Sequence, residues 1–244
     1  MKKSDKPLPE WEKLLSSAAH LQQIIPEAVL VGGTASAIHA KHRMSLDADH
    51  ILGDLKDRFE EVLSQLEEIA EWKTARIKKP VLILGSLDGI ETGILQLRRT
   101  KPLETETIKT KNGDIVIPTK EEILRIKAVL ILRRNATRDY LDFCALSDHL
   151  ENKTIHALNN FDELYDSINE QSPMLQLAIQ LANPKPYDLN ETDLPNYKNL
   201  KGKWTDWGNI ENHCQKVGNL ISEKIIARSS LDKAIKKIEK NRKI

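Results

Sequence analysis

Two aspartates, Asp47 and Asp49, have the spacing of paired metal ligands on a β-strand. Side chains two residues apart on a strand point to the same face, so the two carboxylates would lie side by side. Like charges at that distance repel each other unless a cation lies between them. Mg²⁺ prefers oxygen ligands and commonly binds one or two carboxylates together with the phosphates of a substrate. The pair therefore predicts a metal-dependent phosphoryl-transfer site.

A glycine pair, Gly32-Gly33, lies upstream between a short apolar run and helix-compatible residues that begin at Thr34. Glycine lets backbone N–H groups approach a phosphate closely, and the N-terminus of the following helix favours negative charge. A nucleoside triphosphate is the ligand that needs both the glycine turn and the carboxylate pair. Either feature alone is equally compatible with an exposed strand edge or an ordinary strand-to-helix turn. Their joint spacing favours a nucleotide site.

These motifs resemble the signature of the DNA polymerase β-type nucleotidyltransferase superfamily. The longer strings look like its AbiEii-type branch of bacterial toxins: Leu30-Val31-Gly32-Gly33-Thr34-Ala35 and His42-Arg43-Met44-Ser45-Leu46-Asp47-Ala48-Asp49. The resemblance implies Mg²⁺-dependent transfer of a nucleoside monophosphate from an NTP to an acceptor hydroxyl, with Asp47 and Asp49 as metal ligands. It favours a tRNA 3′ end as acceptor, with a protein hydroxyl next. It also implies a toxin of a type IV toxin–antitoxin system and a neighbouring antitoxin protein as partner.

The resemblance extends to a lysine inside an apolar helix and a following basic-Asp-x-x-Asp segment, which Lys127, Asp139 and Asp142 match. Lys127 falls on the apolar stripe of its predicted helix, where an ammonium group needs a partner. We expect Lys127 to contact the triphosphate, with Asp142 or Asp139 orienting it or acting as general base. A buried lysine–aspartate pair that joins two helices is the alternative.

The remaining predicted site residues surround the two motifs. The nucleotide contacts are assigned to Gly32, Gly33, Thr34, Arg43, Ser45 and Lys127. Arg43 could hold the triphosphate in a bidentate manner, or equally be a solvated loop charge. Polymerase β-type enzymes usually carry a third metal-binding carboxylate on a later strand, and Glu91 is the nearest candidate. His50 stands where the signature prefers an apolar residue, and we expect it at the surface or beside the ligands.

An alternation of helices and strands must position these residues. Apolar residues at helical spacing predict helices over residues 11–24 and 55–71, with a further helix over 34–40 after the glycine turn. Short β-rich runs predict strands over residues 28–31, 46–52, 81–84, 90–97 and 115–117. After Pro118 the strand signals end, and Thr119 opens the first of a series of helices. These are predicted over residues 121–134, 137–150, 158–169, 173–182, 207–222 and 231–241.

The sequence therefore predicts an α+β protein of two domains. Residues 1–118 would form a polymerase β-type nucleotidyltransferase domain, with a mixed sheet flanked by helices. Residues 119–244 would form a C-terminal helical bundle that contributes Lys127 and Asp139 or Asp142 to the site.

Composition limits the remaining classes of protein. With 40% hydrophobic residues among 244 the chain has enough apolar material for a packed core, and no apolar run approaches a membrane span. The two cysteines make no disulfide framework, and we expect a cytoplasmic protein. The 37 basic and 36 acidic residues nearly cancel, so net charge does not indicate a nucleic-acid binder.

Local charge and the fold leave two alternatives open. Basic clusters at residues 73–79 and 224–243 are either RNA-binding surfaces or solvated faces. A catalytically silent nucleotide- or RNA-binding module of the same fold is the second hypothesis for function.

Overall fold

A computed structural model of the chain describes residues 9–167 and 170–241. These residues form two compact units, and the division falls within a helix. The first unit consists of residues 9–124 and 195–201, and the second of residues 125–194 and 202–241, without residues 168 and 169. The sheet belongs to the first unit and the second is helical, so the predicted α+β class is confirmed.

The first unit contains three complete α-helices and seven strands among its described residues. In chain order they are α1 (Pro9–Ile24), β1 (Val29–Leu30), α2 (Gly32–Ala40), β2 (Ala48–Leu52), α3 (Leu55–Glu67), β3 (Trp72–Lys78), β4 (Leu82–Leu87), β5 (Ile90–Gln96), β6 (Thr105–Thr110) and β7 (Gly113–Pro118). Strands β1 to β5 form one sheet in the order β1-β2-β5-β4-β3, where β2 and β5 are parallel and the other neighbours antiparallel. Strands β6 and β7 form a separate antiparallel ribbon.

One face of the five-stranded sheet packs against α1 and α3. Leu52 of β2 and Ile94 of β5 are fully buried there, together with Phe59 of α3 and Leu21 of α1. Burying each such side chain stabilises the fold by about 1.5–3 kcal/mol. Residues at alternate positions, including Asp49, point to the opposite face, which we call the carboxylate face.

The remaining α-helices follow Pro118, and they belong to the second unit except for residues 120–124 at the start of the first of them. They are α4 (Lys120–Arg134), α5 (Thr137–Leu150), the short α6 (Thr154–Ala157) and α7 (Phe161–Leu164), α8 (Pro173–Ala182) and α9 (Trp207–Asn241). As predicted, Thr119 caps α4, since its Oγ1 accepts a bond from the Glu122 N–H at 3.2 Å. Asp188 caps α5 from a distant part of the chain, accepting bonds from the N–H and hydroxyl of Thr137, both at 2.8 Å.

Four segments differ from the sequence predictions. Strands β3 and β6 were not predicted, because both are polar along most of their length and largely exposed. The helix predicted over residues 158–169 is wrong, since the chain forms α6 and α7 with a turn between them, and residues 168 and 169 lie outside the described residues. The two helices predicted beyond residue 207 are one continuous helix, α9.

The second predicted basic cluster, residues 224–243, begins on α9. Its members Lys236, Lys237, Lys240, Arg242 and Lys243 lie outside the residues whose side chains the structure describes. No helix in the described ranges is long and apolar enough to cross a membrane.

Candidate functional site

The two aspartates lie at the start of β2, with Asp47 directly before the strand and Asp49 as its second residue. Their neighbours Ala48 and His50 are fully buried, whereas Asp47 and Asp49 remain partly exposed. This alternation places the Asp49 carboxylate on the carboxylate face and anchors the strand through its buried residues. The two carboxylates are therefore held on a rigid element and remain accessible.

The glycine pair lies against Asp49 and the loop that leads into β2. Gly32 has a φ of +68°, and a Cβ atom there would lie 3.5 Å from Asp49 Oδ2. A Cβ atom at Gly33 would lie 2.6 Å from Arg43 Nη2 and 2.8 Å from Ser45 Oγ. Only glycine fits here without displacing these side chains. The N-terminus of α2, where backbone N–H groups lack helical acceptors, thus meets Asp49, Arg43 and Ser45.

Two hydroxyl groups hold the Asp47 residue. Ser45 Oγ donates a hydrogen bond to Asp47 Oδ1 at 2.5 Å, and the fully buried Thr34 donates from Oγ1 to the Asp47 carbonyl oxygen at 2.6 Å. The first bond orients the carboxylate, and the second ties the strand to α2. Thr34 and Ser45, both predicted as nucleotide contacts, hence bond to Asp47 in this structure.

Residues 195–201 support the loop from the far end of the sequence. The Met44 N–H donates to the Lys198 carbonyl oxygen at 2.8 Å, and the Lys201 N–H donates to the His42 carbonyl oxygen at 2.9 Å. The Arg43 guanidinium lies 5.5 Å from the centre of the Tyr197 ring. Sequence reasoning missed Tyr197, because backbone pairing across some 150 residues leaves no local pattern to read.

Strand β5 lies beside β2, and Gly93 pairs with Asp49. A Cβ atom at Gly93 would lie 2.8 Å from Asp49 Oδ1, so glycine leaves room for that carboxylate. Glu91, two residues earlier, points to the same face but is exposed. Within residues 9–167 and 170–241 no group of three His, Cys, Asp or Glu side chains is arranged to hold a metal ion. The role of Glu91 as third ligand stays a prediction.

His50, which was expected at the surface or beside the metal ligands, is not at the surface but points into the core. Its ring is fully buried, and Nδ1–H donates to the Ala48 carbonyl oxygen at 3.0 Å. Burial lowers the pKa of His50 to about 3, so the imidazole is neutral at physiological pH. The residue therefore faces away from the Asp49 carboxylate.

In the second unit, the structure brings Lys127, Asp139 and Asp142 together. Lys127 is 1% exposed, and its Nζ lies 2.7 Å from Asp142 Oδ2 and 3.5 Å from Asp139 Oδ1. Asp139 also accepts two bonds from the guanidinium of Arg134, one of them at 2.6 Å. Both aspartates are fully buried, so α4 and α5 are joined by a compact ionic cluster, which we call the α4–α5 cluster. Sequence reasoning missed Arg134, although its position in the last turn of α4 placed it near Asp139.

The known proteins that are similar in sequence match this chain over only a small part of their own length. No protein-family model matches the chain. Residues of the chain are 39% identical to the heme uptake protein MmpL11 of Mycobacterium tuberculosis over 98 residues, which is 38% of this chain and 10% of that protein. The similar Mycobacterium leprae protein is 32% identical over 133 residues, 52% of this chain and 12% of that protein. The chain thus spans about a tenth of the curated relatives it matches, and their transport role is not transferred to it.

Solved structures share the fold over nearly the whole chain. JHP933 of Helicobacter pylori is similar with a TM-score of 0.54 and 16% identity, covering 92% of this chain and 96% of that one. A second Helicobacter pylori protein, described as a candidate nucleotidyltransferase, gives a TM-score of 0.50 at 16% identity, covering 89% and 95%. At this identity the likeness shows the fold alone. The chain shares the α+β fold of these two proteins, with a mixed sheet flanked by helices and a helical C-terminal part.

Proposed function

We propose that this chain is a metal-dependent nucleotidyltransferase, which moves a nucleoside monophosphate from an NTP to an acceptor hydroxyl. One observation carries the proposal. Asp47, Asp49, the glycine pair and the Arg43 guanidinium meet where α2 begins beside β2. The fold alone would not suffice, because one fold hosts many functions.

The donor set fits Mg²⁺. Two partly exposed carboxylates on a rigid strand are the ligands that this cation uses when substrate phosphates and water complete its shell. Gly32 and Gly93 add no side chain of their own next to the Asp49 carboxylate. When bound, Mg²⁺ would supply positive charge against the phosphates and the developing transition state. Asp47 and Asp49 would hold it, with Glu91 as the candidate third ligand.

The protein groups divide the remaining work. The N–H groups of Gly32, Gly33 and Thr34 would bind the phosphates at the N-terminus of α2. Arg43, placed over Tyr197, would bind two phosphate oxygens with its planar guanidinium. The acceptor hydroxyl attacks the α-phosphorus, the bond to the bridging oxygen breaks, and pyrophosphate leaves. These contacts hold the triphosphate in line for that displacement.

Lys127 is proposed to contact the triphosphate as a point charge, with Asp142 orienting its ammonium group at 2.7 Å. An orienting role suits Asp139 and Asp142 better than a general-base role. Both carboxylates are fully buried and lie against the cations of Lys127 or Arg134, so neither is exposed to an attacking hydroxyl. The Lys127→Met variant tests this assignment: unchanged transfer and unchanged nucleotide affinity would remove Lys127 from the site.

The acceptor is proposed from the resemblance of the motifs to the AbiEii-type branch. A tRNA 3′ end is favoured, with a protein hydroxyl next, and the biological role would be that of a type IV toxin beside an antitoxin protein. In the genome, a neighbouring reading frame for a small helix-turn-helix protein would support that setting.

The decisive experiment incubates the purified protein with Mg²⁺, each α-³²P-labelled NTP in turn and total bacterial RNA. The Asp47→Asn variant is the test, and Asp114→Asn, an exposed aspartate on β7, is the matched control. We expect label on tRNA-sized species with wild type and Asp114→Asn, and none with Asp47→Asn. Label on protein would replace RNA by a protein acceptor. Label transfer that persists in Asp47→Asn would refute the proposed nucleotidyltransferase activity.

A silent nucleotide-binding module is the second candidate. It is favoured by the exposed position of Glu91 and by the lack, among the described residues, of a three-ligand metal group. This candidate predicts that an NTP binds, by calorimetry, with no label transferred to RNA or protein from any of the four nucleotides.

A further inference from the structure

The carboxylate face of the sheet carries three basic residues at its edge. Asp49 on β2 pairs with Gly93 on β5, and Gly93 pairs with Leu84 on β4. Leu84 in turn pairs with Arg76 on β3, so these four residues form one row across the sheet. Directly paired residues share a face, so the Arg76 side chain lies on the same face as the Asp49 carboxylate. The rows of paired residues on either side also end in a basic residue of β3. One row contains Glu91, Ser86 and Lys73, and the other contains Ile51, Leu95, Leu82 and Lys78.

A β-bulge creates this alignment. The register of β3 against β4 shifts between Thr74 and Arg76, which leaves Ala75 as an extra residue. In a regular strand, Ala75 and Ile77 would share the face of Lys73, while Arg76 and Lys78 would point to the α3 side. With the bulge, Lys73, Arg76 and Lys78 all point to the carboxylate face. We call these three residues the β3 basic row.

The β3 basic row is exposed and has no counterion in the described part of the chain. The adjacent Lys79, by contrast, pairs with Glu60 at 2.5 Å. On the opposite face of β3, Thr74 donates from Oγ1 to Glu67 at 3.2 Å, so acidic groups of α3 lie behind the strand. Between Arg76 and Asp49 the floor consists of the uncharged residues Leu84 and Gly93, and the carboxylate of Glu91 lies in the flanking row.

We propose that the β3 basic row binds the phosphate backbone of a single-stranded RNA acceptor whose 3′ hydroxyl reaches Asp47 and Asp49. This inference rests on the proposed function and identifies its acceptor as RNA. Neighbouring strands lie about 4.8 Å apart, so three spacings separate Arg76 from Asp49 by about 14 Å. At that distance the three cations do not contact the metal ligands. They would instead contact phosphates a few nucleotides before the 3′ end of the RNA. Lysine and arginine contacts of this kind position a nucleic acid without reading its sequence.

The test compares two triple variants of equal charge change. Lys73→Gln/Arg76→Gln/Lys78→Gln removes the row, and Lys56→Gln/Lys109→Gln/Lys153→Gln removes three exposed lysines elsewhere. Affinity for a short, 5′-fluorescent single-stranded RNA is titrated over a range of salt concentrations. Each lost phosphate contact lowers the salt slope by about 0.7, so the row variant should lose about 2 in slope and roughly 50-fold in affinity at physiological salt. The control should change by less than about 3-fold.

Further measurements keep the inference distinct from the proposed function. Affinity for a non-hydrolysable NTP should be the same in all three proteins, which also shows that the row variant is folded. Arg76→Lys should keep most of the RNA affinity and Arg76→Gln should not. Equal RNA affinities for the two triple variants would overturn the inference, even if label transfer succeeds. Failure of label transfer with wild type would refute the proposed function, while the RNA titration still decides the role of the row.

Discussion

The chain contains two groups of acidic residues that differ in how deeply they are buried. At the start of β2, Asp47 and Asp49 are partly exposed, and Asp47 is oriented by a neutral hydroxyl, that of Ser45. In the α4–α5 cluster, Asp139 and Asp142 are fully buried and lie against the cations of Lys127 and Arg134. Asp47 thus accepts a bond from a neutral donor, whereas Asp139 and Asp142 lie against cations of the protein.

This difference predicts different consequences for substitutions in the two groups. Buried charges are costly unless the chain supplies their partners, so removing one member of the α4–α5 cluster leaves an uncompensated charge in the protein interior. Partly exposed carboxylates remain hydrated, and an incoming cation can bind them together with water and substrate oxygens. Substitutions at the first group should therefore affect activity, and substitutions at the second should affect stability first.

The largest expected effect is on activity, from Asp49→Asn. Loss of a metal-binding carboxylate should lower nucleotidyl transfer by at least about 1,000-fold, which is about 4 kcal/mol of transition-state stabilisation. The free energy of unfolding should change by no more than about 1 kcal/mol, since the carboxylate is partly exposed and its removal also relieves repulsion with Asp47. Label transfer and urea unfolding are measured on the same preparations, with Asp114→Asn as control. A decrease of about 4 kcal/mol in the free energy of unfolding would show that Asp49 supports the fold as the buried aspartates do.

The second expected effect is on stability, from Lys127→Met. The variant leaves Asp142 buried without its cation, and the free energy of unfolding should fall by about 3–5 kcal/mol in urea titrations. Lys153→Met, at an exposed lysine of the same unit, should change it by less than about 0.5 kcal/mol. Adding Asp142→Asn to Lys127→Met should recover part of the loss. If Lys127→Met is as stable as wild type, the α4–α5 cluster does not support the fold.

A smaller effect is expected from Gly33→Ala. The new Cβ would clash with Arg43 Nη2 and Ser45 Oγ, and both side-chain ends would have to move. We expect transfer to fall roughly 10- to 100-fold, because misplaced binding groups cost about that much, with a change in stability of about 1 kcal/mol. Gly53→Ala, where nothing lies within 4 Å of the added atom, is the matched control. Equal activities for the two variants would mean that the glycine turn does not form the nucleotide site.

The smallest effect is expected from Tyr197→Leu. Loss of the contact beneath the Arg43 guanidinium removes about 0.5–1 kcal/mol, so the KM for the NTP should rise roughly 2- to 5-fold with kcat unchanged. Tyr187→Leu, at a tyrosine that is 73% exposed, should leave both constants as in wild type. A change in kcat alone would indicate that Tyr197 does not act through substrate binding.

Local sequence patterns predicted the helices and strands that are determined by the burial of nearby apolar residues. The helices α1, α4, α5 and α8, and the strands that contain Leu52 and Ile94, follow from apolar periodicity, and the structure confirms them. Polar strands such as β3 have no apolar alternation, since most of their residues are exposed and carry no burial signal. The support of Arg43 by residues 195–201 depends on long-range backbone pairing, which periodicity does not report. The Asp-x-Asp and glycine motifs were visible because their residue types are unusual at that spacing, whereas the roles of those residues stay predictions.

The extra residue Ala75 has a consequence for the state of association of the protein. Strand β3 lies at the edge of its sheet, and an edge strand presents unpaired N–H and C=O groups on which another chain can add as a further strand. A bulge twists such an edge out of register with an incoming partner, and repelling lysines discourage two identical edges from pairing. The irregularity thus protects the protein against aggregation through this edge of the sheet.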